Sequence, residues 1–287
     1  MNEIKIIVTG ANGQLGIEFK KNVKNDPRFH FYDRDQLDIC DVNALRSVVQ
    51  SIKPNIIINC AAYTAVDRAE DETSKAFLIN DSAVANIGSV AAEVDCKVIH
   101  FSTDYVYHII KDDPLIESDQ CQPQSVYGMS KRAGELSLSS QTDNYLIFRV
   151  SWLYSAQKNN FVKTMLRLGQ NRDQLSIVND QIGAPTSAKD LVSSILHIIE
   201  QHPDATGIYN YCNSGKTNWC EFAQEIFRVA NITCVVSGLS TKEYGARAPR
   251  PLWSIMSTDK LLVDYGIIIP PWRQSLKECL EELKAIA

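Results

Sequence analysis

Tyr127 and Lys131 stand four residues apart in Gln124–Ser139, a segment with helical spacing. Side chains four apart share one helix face, so both can address one bound molecule. Adding hydride to a ketone leaves an oxyanion that must be protonated, and a tyrosine can supply that proton. A free tyrosine has a pKa of ~10. A lysine cation and a positive nicotinamide nearby would lower it toward working pH. Lys131 could also hold the nicotinamide ribose. Upstream, the strand Lys97–Ser102 runs into Ser102-Thr103-Asp104-Tyr105. Thr103 at that strand end could donate a hydrogen bond to the carbonyl oxygen and polarise it. Read alone, YxxxK is a weak signal, because tyrosine and lysine are common helix residues.

A second motif strengthens it. Thr9-Gly-Ala-Asn-Gly-Gln-Leu-Gly16 follows the strand Ile4–Thr9 and opens a helix from Gln14 to Val23. Gly10 permits the turn, Gly13 lets a pyrophosphate approach the backbone, and Gly16 lets the helix lie against the sheet. The free N–H groups of the helix start then face the phosphates. Such a loop in the first βα turn is the expected context for a dinucleotide. Asp33, after the second strand, favours the ribose hydroxyls of NAD. Arg34 beside it favours a 2′-phosphate and hence NADP. The two point opposite ways, so NADPH or NADH remains open. Asp38 could reach the adenine.

The elements that would position these groups alternate. Strands are expected at Ile4–Thr9, Phe29–Tyr32, Ile56–Cys60, Lys97–Ser102 and Tyr145–Val150, with helices at Gln14–Val23, Val42–Ser51, Thr73–Val94 and Gln124–Ser139. This predicts an α/β fold, a doubly wound parallel sheet of the Rossmann type. We expect a cofactor domain over 1–150. Residues 151–287 would form a smaller substrate-binding lobe, with some elements rejoining the sheet. There, helices are expected at Phe161–Leu168, Asp190–Glu200, Trp219–Ala230 and Leu276–Ile286, a strand at Ile208–Tyr211, and a loop over Gly238–Trp253.

Composition narrows the classes. The 287 residues are 45% hydrophobic and 22% charged, values of a globular chain rather than a disordered one. Lys+Arg 29 against Asp+Glu 34 gives a charge of −5, a poor match to sequence-independent nucleic-acid binding. No apolar run reaches the ~18–20 residues of a membrane span, and the N-terminus lacks a signal-peptide pattern. The eight cysteines form no CxxC pair and read as reduced, buried thiols of a cytoplasmic protein. The five histidines show no metal spacing and read as structural or solvated, and no metal site is expected.

With these motifs together, the chain resembles the extended short-chain dehydrogenase/reductases. More specific strings are GQLG at Gly13, NCAAYTAVDRAE from Asn59, STDYV at Ser102, FRVSWLY from Phe148, NNFVKTM from Asn159 and DQIGAPT from Asp180. Together they resemble the dTDP-4-dehydrorhamnose reductase family, in register from residue 4 to about residue 286. The resemblance implies reduction of the 4-keto group of a dTDP-linked sugar. Tyr127 would be the proton donor, with Lys131 its partner and Thr103 assisting. It implies that Gly13, Gln14 and Leu15 line the pyrophosphate and that Asp38 and Ile39 lie near the adenine. Ala62, Tyr63 and Thr64 would border the nicotinamide. Ser102, Thr103, Asp104 and Trp152 would contact the sugar nucleotide, with Val66 and Tyr105 close by. An aromatic such as Trp152 at a strand end could stack on a sugar or base; a core tryptophan is an equal reading. Arg250, in Ala248-Pro-Arg-Pro251, could bond a diphosphate. Asp180, Gln181, Pro185 and Thr186 would line the same cleft or shape a turn.

The chain also departs from the family pattern. Ser125 replaces an asparagine, Tyr107-His108-Ile109-Ile110 replaces a glycine-containing turn, and Ser155 replaces a glycine. Some family members dimerise through magnesium held by acidic residues, and Lys189 stands where such a glutamate would fall. A monomer or a homodimer is expected. Two other readings stay open. One is a nucleotide-sugar epimerase or 4,6-dehydratase, although a dehydratase needs an acid where Tyr105 stands. The other is a non-catalytic, NADP-binding regulatory subunit.

Overall fold

The computed structural model describes residues 4–286. β1 (Ile6–Thr9), α1 (Gln14–Val23), β2 (Phe29–Tyr32), α2 (Val42–Ile52) and β3 (Ile56–Asn59) open the chain. The next crossover holds α3 (Val66–Ala69), α4 (Thr73–Phe77), a π-helical turn at Leu78–Ser82 and α5 (Ala83–Ala92). β4 (Lys97–Thr103), α6 (Val126–Gln141) and β5 (Tyr145–Val150) follow. Beyond them come β6 (Leu153–Tyr154), α7 (Phe161–Gly169), β7 (Gln174–Val178), β8 (Ile182–Gly183), β9 (Thr186–Ser187), α8 (Ala188–Gln201) and β10 (Gly207–Tyr211). The chain closes with β11 (Thr217–Asn218), α9 (Trp219–Ala230), β12 (Val235–Leu239), α10 (Thr241–Tyr244), β13 (Trp253–Ser254), α11 (Asp259–Tyr265) and α12 (Trp272–Ile286).

Six strands form one parallel sheet in the order β2-β1-β3-β4-β5-β10. The strand order turns back between β1 and β3, and their carboxyl ends open the crevice where such sheets bind ligands. Helices cover both faces, which is why these strands read as unbroken apolar runs. Ile6, Val8, Ile56, Ile58, Ile99 and Phe101 face one way, against Phe19 of α1 and Leu191 and Ile195 of α8. Ile7, Ile57, Val98 and Ile147 face the other way, against Leu45 of α2, Val84 and Ile87 of α5 and Leu138 of α6. The C-terminal elements carry three small sheets, β11-β8-β13, β7-β12 and β6-β9, around a separate apolar cluster that includes Phe222 and Trp272.

Two expectations need correction. The helix expected over Thr73–Val94 is broken by the π turn, which carries the buried Asn80. Its Oδ1 accepts from Tyr63 N at 2.8 Å, and its Nδ2 donates to Tyr63 O and to Ser130 Oγ, both at 3.0 Å. The side chain thus fixes the strand-end loop against α6, at the expense of regular helix. The loop expected over Gly238–Trp253 includes the end of β12 and all of α10, whose start carries a reciprocal Ser240–Glu243 capping box. All eight cysteines are free thiols. Among the described residues, no helix is long and apolar enough to cross a membrane.

Candidate active site

The glycine loop is shaped by backbone proximity. Gly10 has φ +65°, and a Cβ there would lie 2.5 Å from Ala61 N. At Gly16 a Cβ would lie 2.5 Å from Gly10 O. Gly13 begins α1 without any side-chain cap, which leaves the first N–H groups for an anion. A cavity of about 250 Å³ opens there, lined by Gly10, Asn12, Gly13, Arg34, Asp38, Ile39 and Ala62 among others. It fits the phosphate and adenosine end of a dinucleotide.

Several expected cofactor residues act differently. Gln14 turns its side chain away, accepting from Ser155 Oγ at 3.1 Å and Asn160 Nδ2 at 3.0 Å. Leu15 packs in the core. For both, only the backbone N–H at the helix start remains for pyrophosphate. Ser155, the departure from glycine, thus ties the first helix to the segment after β6. Asp33 spends its carboxylate on Asn12 Nδ2 at 2.8 Å and on the N–H groups of Asp35 and Gln36. Arg34 is largely exposed at the cavity wall, 3.5 Å from Asp38. Tyr63 is buried and bonds Glu72, while Thr64 is exposed; neither lines a cavity.

A second cavity, of about 830 Å³, lies among Tyr105, Phe161, Met165, Gln181, Trp219, Tyr244, Arg250 and neighbouring side chains. Tyr127 is in the lining of neither. Its half-buried ring meets Tyr105, a wall of the larger cavity, edge-on at 5.5 Å. It also packs on the small cluster of Tyr63, Ala69 and Ala76, and Ala62, the chain neighbour of Tyr63, lines the smaller cavity. Ser125 is a true helix cap in place of the family's asparagine, accepting from Gly128 N at 3.1 Å. Glu70 of the α3 region accepts from Val126 N at 2.9 Å.

The titration of these groups differs from expectation. Burial pushes the Tyr127 phenol up to about 12; the nearby Thr103 hydroxyl tempers this and the Asp104 charge adds to it. The expected depression by a lysine cation is not what governs Tyr127. Lys131 is 1% exposed, and burial drives its amine down to about 8 against the pull of Glu135. It stays mostly charged at neutral pH and loses its proton as the pH rises through about 8. The free protein therefore holds this phenol protonated, and a positive nicotinamide nearby would bring it closer to the working pH.

Thr103 Oγ1 donates to Asp104 Oδ1 at 3.0 Å. Asp104 Oδ2 is buried without a partner. Burial raises this carboxyl to about 6, against hydrogen bonds from Ser254 and Thr103. A folded pKa raised from 3.8 to about 6 costs stability above the unfolded value, most fully beyond pH 6. Asp104→Asn should therefore stabilise the protein at pH 7.5 by on the order of 2–3 kcal/mol, shrinking to about a third of that at pH 4.5. Urea midpoints at both pH values check this; an equal gain at both would refute the burial argument.

Four expected substrate residues are placed otherwise than expected. Ser102 shares its strand face with His100, buried beside Glu135, and lines neither cavity. Trp152, at φ +45°, stacks on Trp219 with centroids 3.7 Å apart and packs on Gly183. Trp219 and Phe161 face the larger cavity, with Tyr105 and Tyr244. Trp219 Nε1 donates to Gln181 Oε1 at 3.1 Å. Arg250 lines that cavity but is clamped by Asp67 of α3, at 3.1 and 2.8 Å. Val66 begins that helix, off both cavities. Residues that motif reading passed over include Asn59, Asn80, His100 and Trp219. His100 was detectable as a histidine two residues before Ser102, on the strand face turned to α6.

The RmlD substrate-binding domain family matches residues 4–285. The dTDP-4-dehydrorhamnose reductase of Escherichia coli K12 is 38% identical over 98% of each chain. The chain belongs to the dTDP-4-dehydrorhamnose reductase family. Members of this family are NAD(P)H-dependent oxidoreductases of nucleotide-sugar and polysaccharide biosynthesis. A Bacillus anthracis dTDP-4-dehydrorhamnose reductase, solved in complex with NADP, is 39% identical with a TM-score of 0.93, covering 98% of this chain and 99% of that one. The Bacillus subtilis spore coat polysaccharide biosynthesis protein SpsK is 36% identical over 97% of each chain. Within this family member, the turn after β4 shows how the substituted loop is accommodated. Tyr107 is fully buried and donates to Asn210 Oδ1 at 2.7 Å, and His108 takes a left-handed φ of 45°.

Proposed function

We propose that the chain reduces the 4-keto group of dTDP-4-dehydro-L-rhamnose, with NADPH as hydride source and Tyr127 as proton donor. The observation that carries this is the position of Tyr127. Its ring touches Tyr105, a wall of the larger cavity, and the Tyr63 cluster whose chain neighbour Ala62 lines the smaller one, and desolvation keeps the proton on its phenol in the free protein. The nicotinamide supplies the hydride when bound. Thr103 would turn its hydroxyl from Asp104 to the carbonyl oxygen, and Tyr127 transfers its proton to that oxygen as the carbonyl carbon is reduced. The alcohol product thus gains one hydride and one proton. Lys131 would hold the nicotinamide ribose. Trp219 and Phe161 offer apolar surface for the base or sugar. Arg250 would turn from Asp67 to the diphosphate. We further infer a cytoplasmic enzyme, in keeping with its free thiols.

The test follows the loss of reduced-nicotinamide absorbance with freshly generated dTDP-4-dehydro-L-rhamnose. Turnover that yields dTDP-L-rhamnose supports the reading. Cofactor binding without turnover would shift it to a different 4-keto nucleotide sugar or to a regulatory subunit. NADPH rather than NADH is favoured because Asp33 is engaged by its own turn, while Arg34 lines the cavity, held only by an exposed pair with Asp38 at 3.5 Å. Arg34→Ala should raise the KM for NADPH about tenfold, the worth of one exposed charge-assisted contact of ~1.4 kcal/mol, and leave the KM for NADH nearly unchanged. Equal changes for both cofactors would mean that Arg34 does not read the 2′-phosphate.

A further inference from the structure

A carboxylate of the protein itself fills an anion cradle at the rim of the larger cavity. The strap from α10 to Pro251 begins at the β7–β8 turn, where Asp180 Oδ1 accepts from Thr241 N and Oγ1 at 2.9 and 2.6 Å. It ends against α3. There Arg250 grips Asp67 with a two-toothed fork, Nη1 donating to Oδ1 at 3.1 Å and Nη2 to Oδ2 at 2.8 Å. Ala248 N–H donates to the same Oδ1 at 3.1 Å, and the Arg247 N–H also bears on the carboxylate. Burial would raise Asp67, but these donors hold it below its ordinary value, so it is an anion at neutral pH.

A guanidinium fork joined by backbone N–H groups is the donor set that recognises a phosphate. The two partners differ in setting. Arg250 is 17% exposed and lines the larger cavity with Tyr105 and Tyr244, both near enough to feel its charge. Asp67 is 46% exposed and lines neither cavity. Releasing it to water therefore costs little, since a partly exposed ion pair is weak. A diphosphate carries more negative charge and more acceptor oxygens than one carboxylate, so it wins the fork. Arg247 pairs separately with Asp71, which leaves the strap a second anchor when Asp67 lets go.

We propose that Asp67 is an internal stand-in for the substrate's diphosphate: it occupies the Arg250–Ala248 cradle in the free protein, and a nucleoside diphosphate displaces it. The inference rests on Arg250 as a diphosphate ligand. It makes Asp67 a specificity-determining residue, because only a ligand with phosphate charge gains by opening the cradle. A nucleoside without phosphates leaves Asp67 in place and binds through the apolar walls alone. Asp67→Asn isolates this effect. The asparagine keeps the shape and a carbonyl oxygen for the Ala248 N–H, and removes the competing charge.

The test is calorimetric titration of the NADP⁺-saturated protein with dTDP, and with thymidine read by competition. Asp67→Asn should tighten dTDP about fivefold, the worth of a partly exposed ion pair, and leave thymidine within about twofold. Arg250→Gln should weaken dTDP about tenfold. Adding Asp67→Asn to Arg250→Gln should then change dTDP affinity by less than about twofold, because the fork it frees is gone. Asp67→Ser, which also removes the charge, should reproduce the gain and serves if the asparagine variant does not fold. Weaker dTDP binding in a folded Asp67 variant would mean that Asp67 positions Arg250 rather than competes, and overturns the inference. An equal gain for thymidine, or a gain that survives in Arg250→Gln, overturns it as well. None of these titrations needs turnover. Titrations as expected without reduction of the dTDP sugar would refute the reduction reading alone, and reduction with untightened Asp67 variants would refute the stand-in alone.

Discussion

Tyr127→Phe should lower kcat by about 10²- to 10⁴-fold, the range a positioned proton donor contributes. The phenylalanine ring can still meet Tyr105 edge-on and pack with Tyr63. Cofactor affinity should consequently stay within about twofold, as read by NADPH fluorescence titration. A buried phenol that titrates at about 12 stays protonated throughout the working range. Wild-type kcat should thus be insensitive to pH near neutrality on account of this group. A loss confined to KM would mean that Tyr127 only holds substrate. Retention of most activity would hand the proton transfer to another group, with Asp104 the nearest candidate, since its carboxyl is raised to about 6.

The second large effect concerns the scaffold behind the site. Arg149 of β5 and Glu135 of α6 form a buried pair, 2% and 1% exposed, at 2.8 and 2.9 Å. Arg149 also donates to Tyr107 Oη at 2.8 Å and to Glu117 O at 3.1 Å. It thereby fastens the substituted loop after β4 to the sheet. Arg149→Met removes one partner and leaves Glu135 with Arg132, at 2.6 Å, as its one ion-pair partner, beside the Ser102 hydroxyl. The expected cost is about 3–5 kcal/mol in urea unfolding at pH 7.5.

The pH dependence has a definite sign. Burial alone would raise Glu135, but the Arg149 hydrogen bonds and charge hold it below its ordinary value. The pair's stabilisation is therefore present above the unfolded carboxyl value of ~4.3 and lost as pH falls through the lower folded value. In Arg149→Met the carboxyl is raised instead, so its penalty fades as acid protonates it. The gap between wild type and variant should narrow toward pH 4. Replacing both partners by apolar residues should recover much of the loss. A cost below about 1 kcal/mol at pH 7.5 would mean that solvent reaches Glu135 in the variant.

The sequence by itself determined the order of strands and helices in the first half, because those strands are covered on both faces and must be apolar throughout. It determined the glycine positions too. Gly10 and Gly16 meet backbone at 2.5 Å, and no other residue type fits there. The tyrosine–lysine pair was legible because four-residue spacing is local geometry. Tertiary structure decided what could not be local. Trp152 was expected to face substrate, but it stacks on Trp219, which lies 67 positions further along the chain. Arg250 meets Asp67, and Gln14 meets Ser155 and Asn160, only because distant elements converge on one cleft. The π turn at Asn80 arises from bonds to Tyr63 and Ser130 that no helical periodicity encodes. Likewise, motif spacing paired Lys131 with Tyr127 but could not show its burial, which lowers the amine to about 8, nor its contact with His100 Nε2 at 3.2 Å, because both depend on which atoms the fold brings face to face.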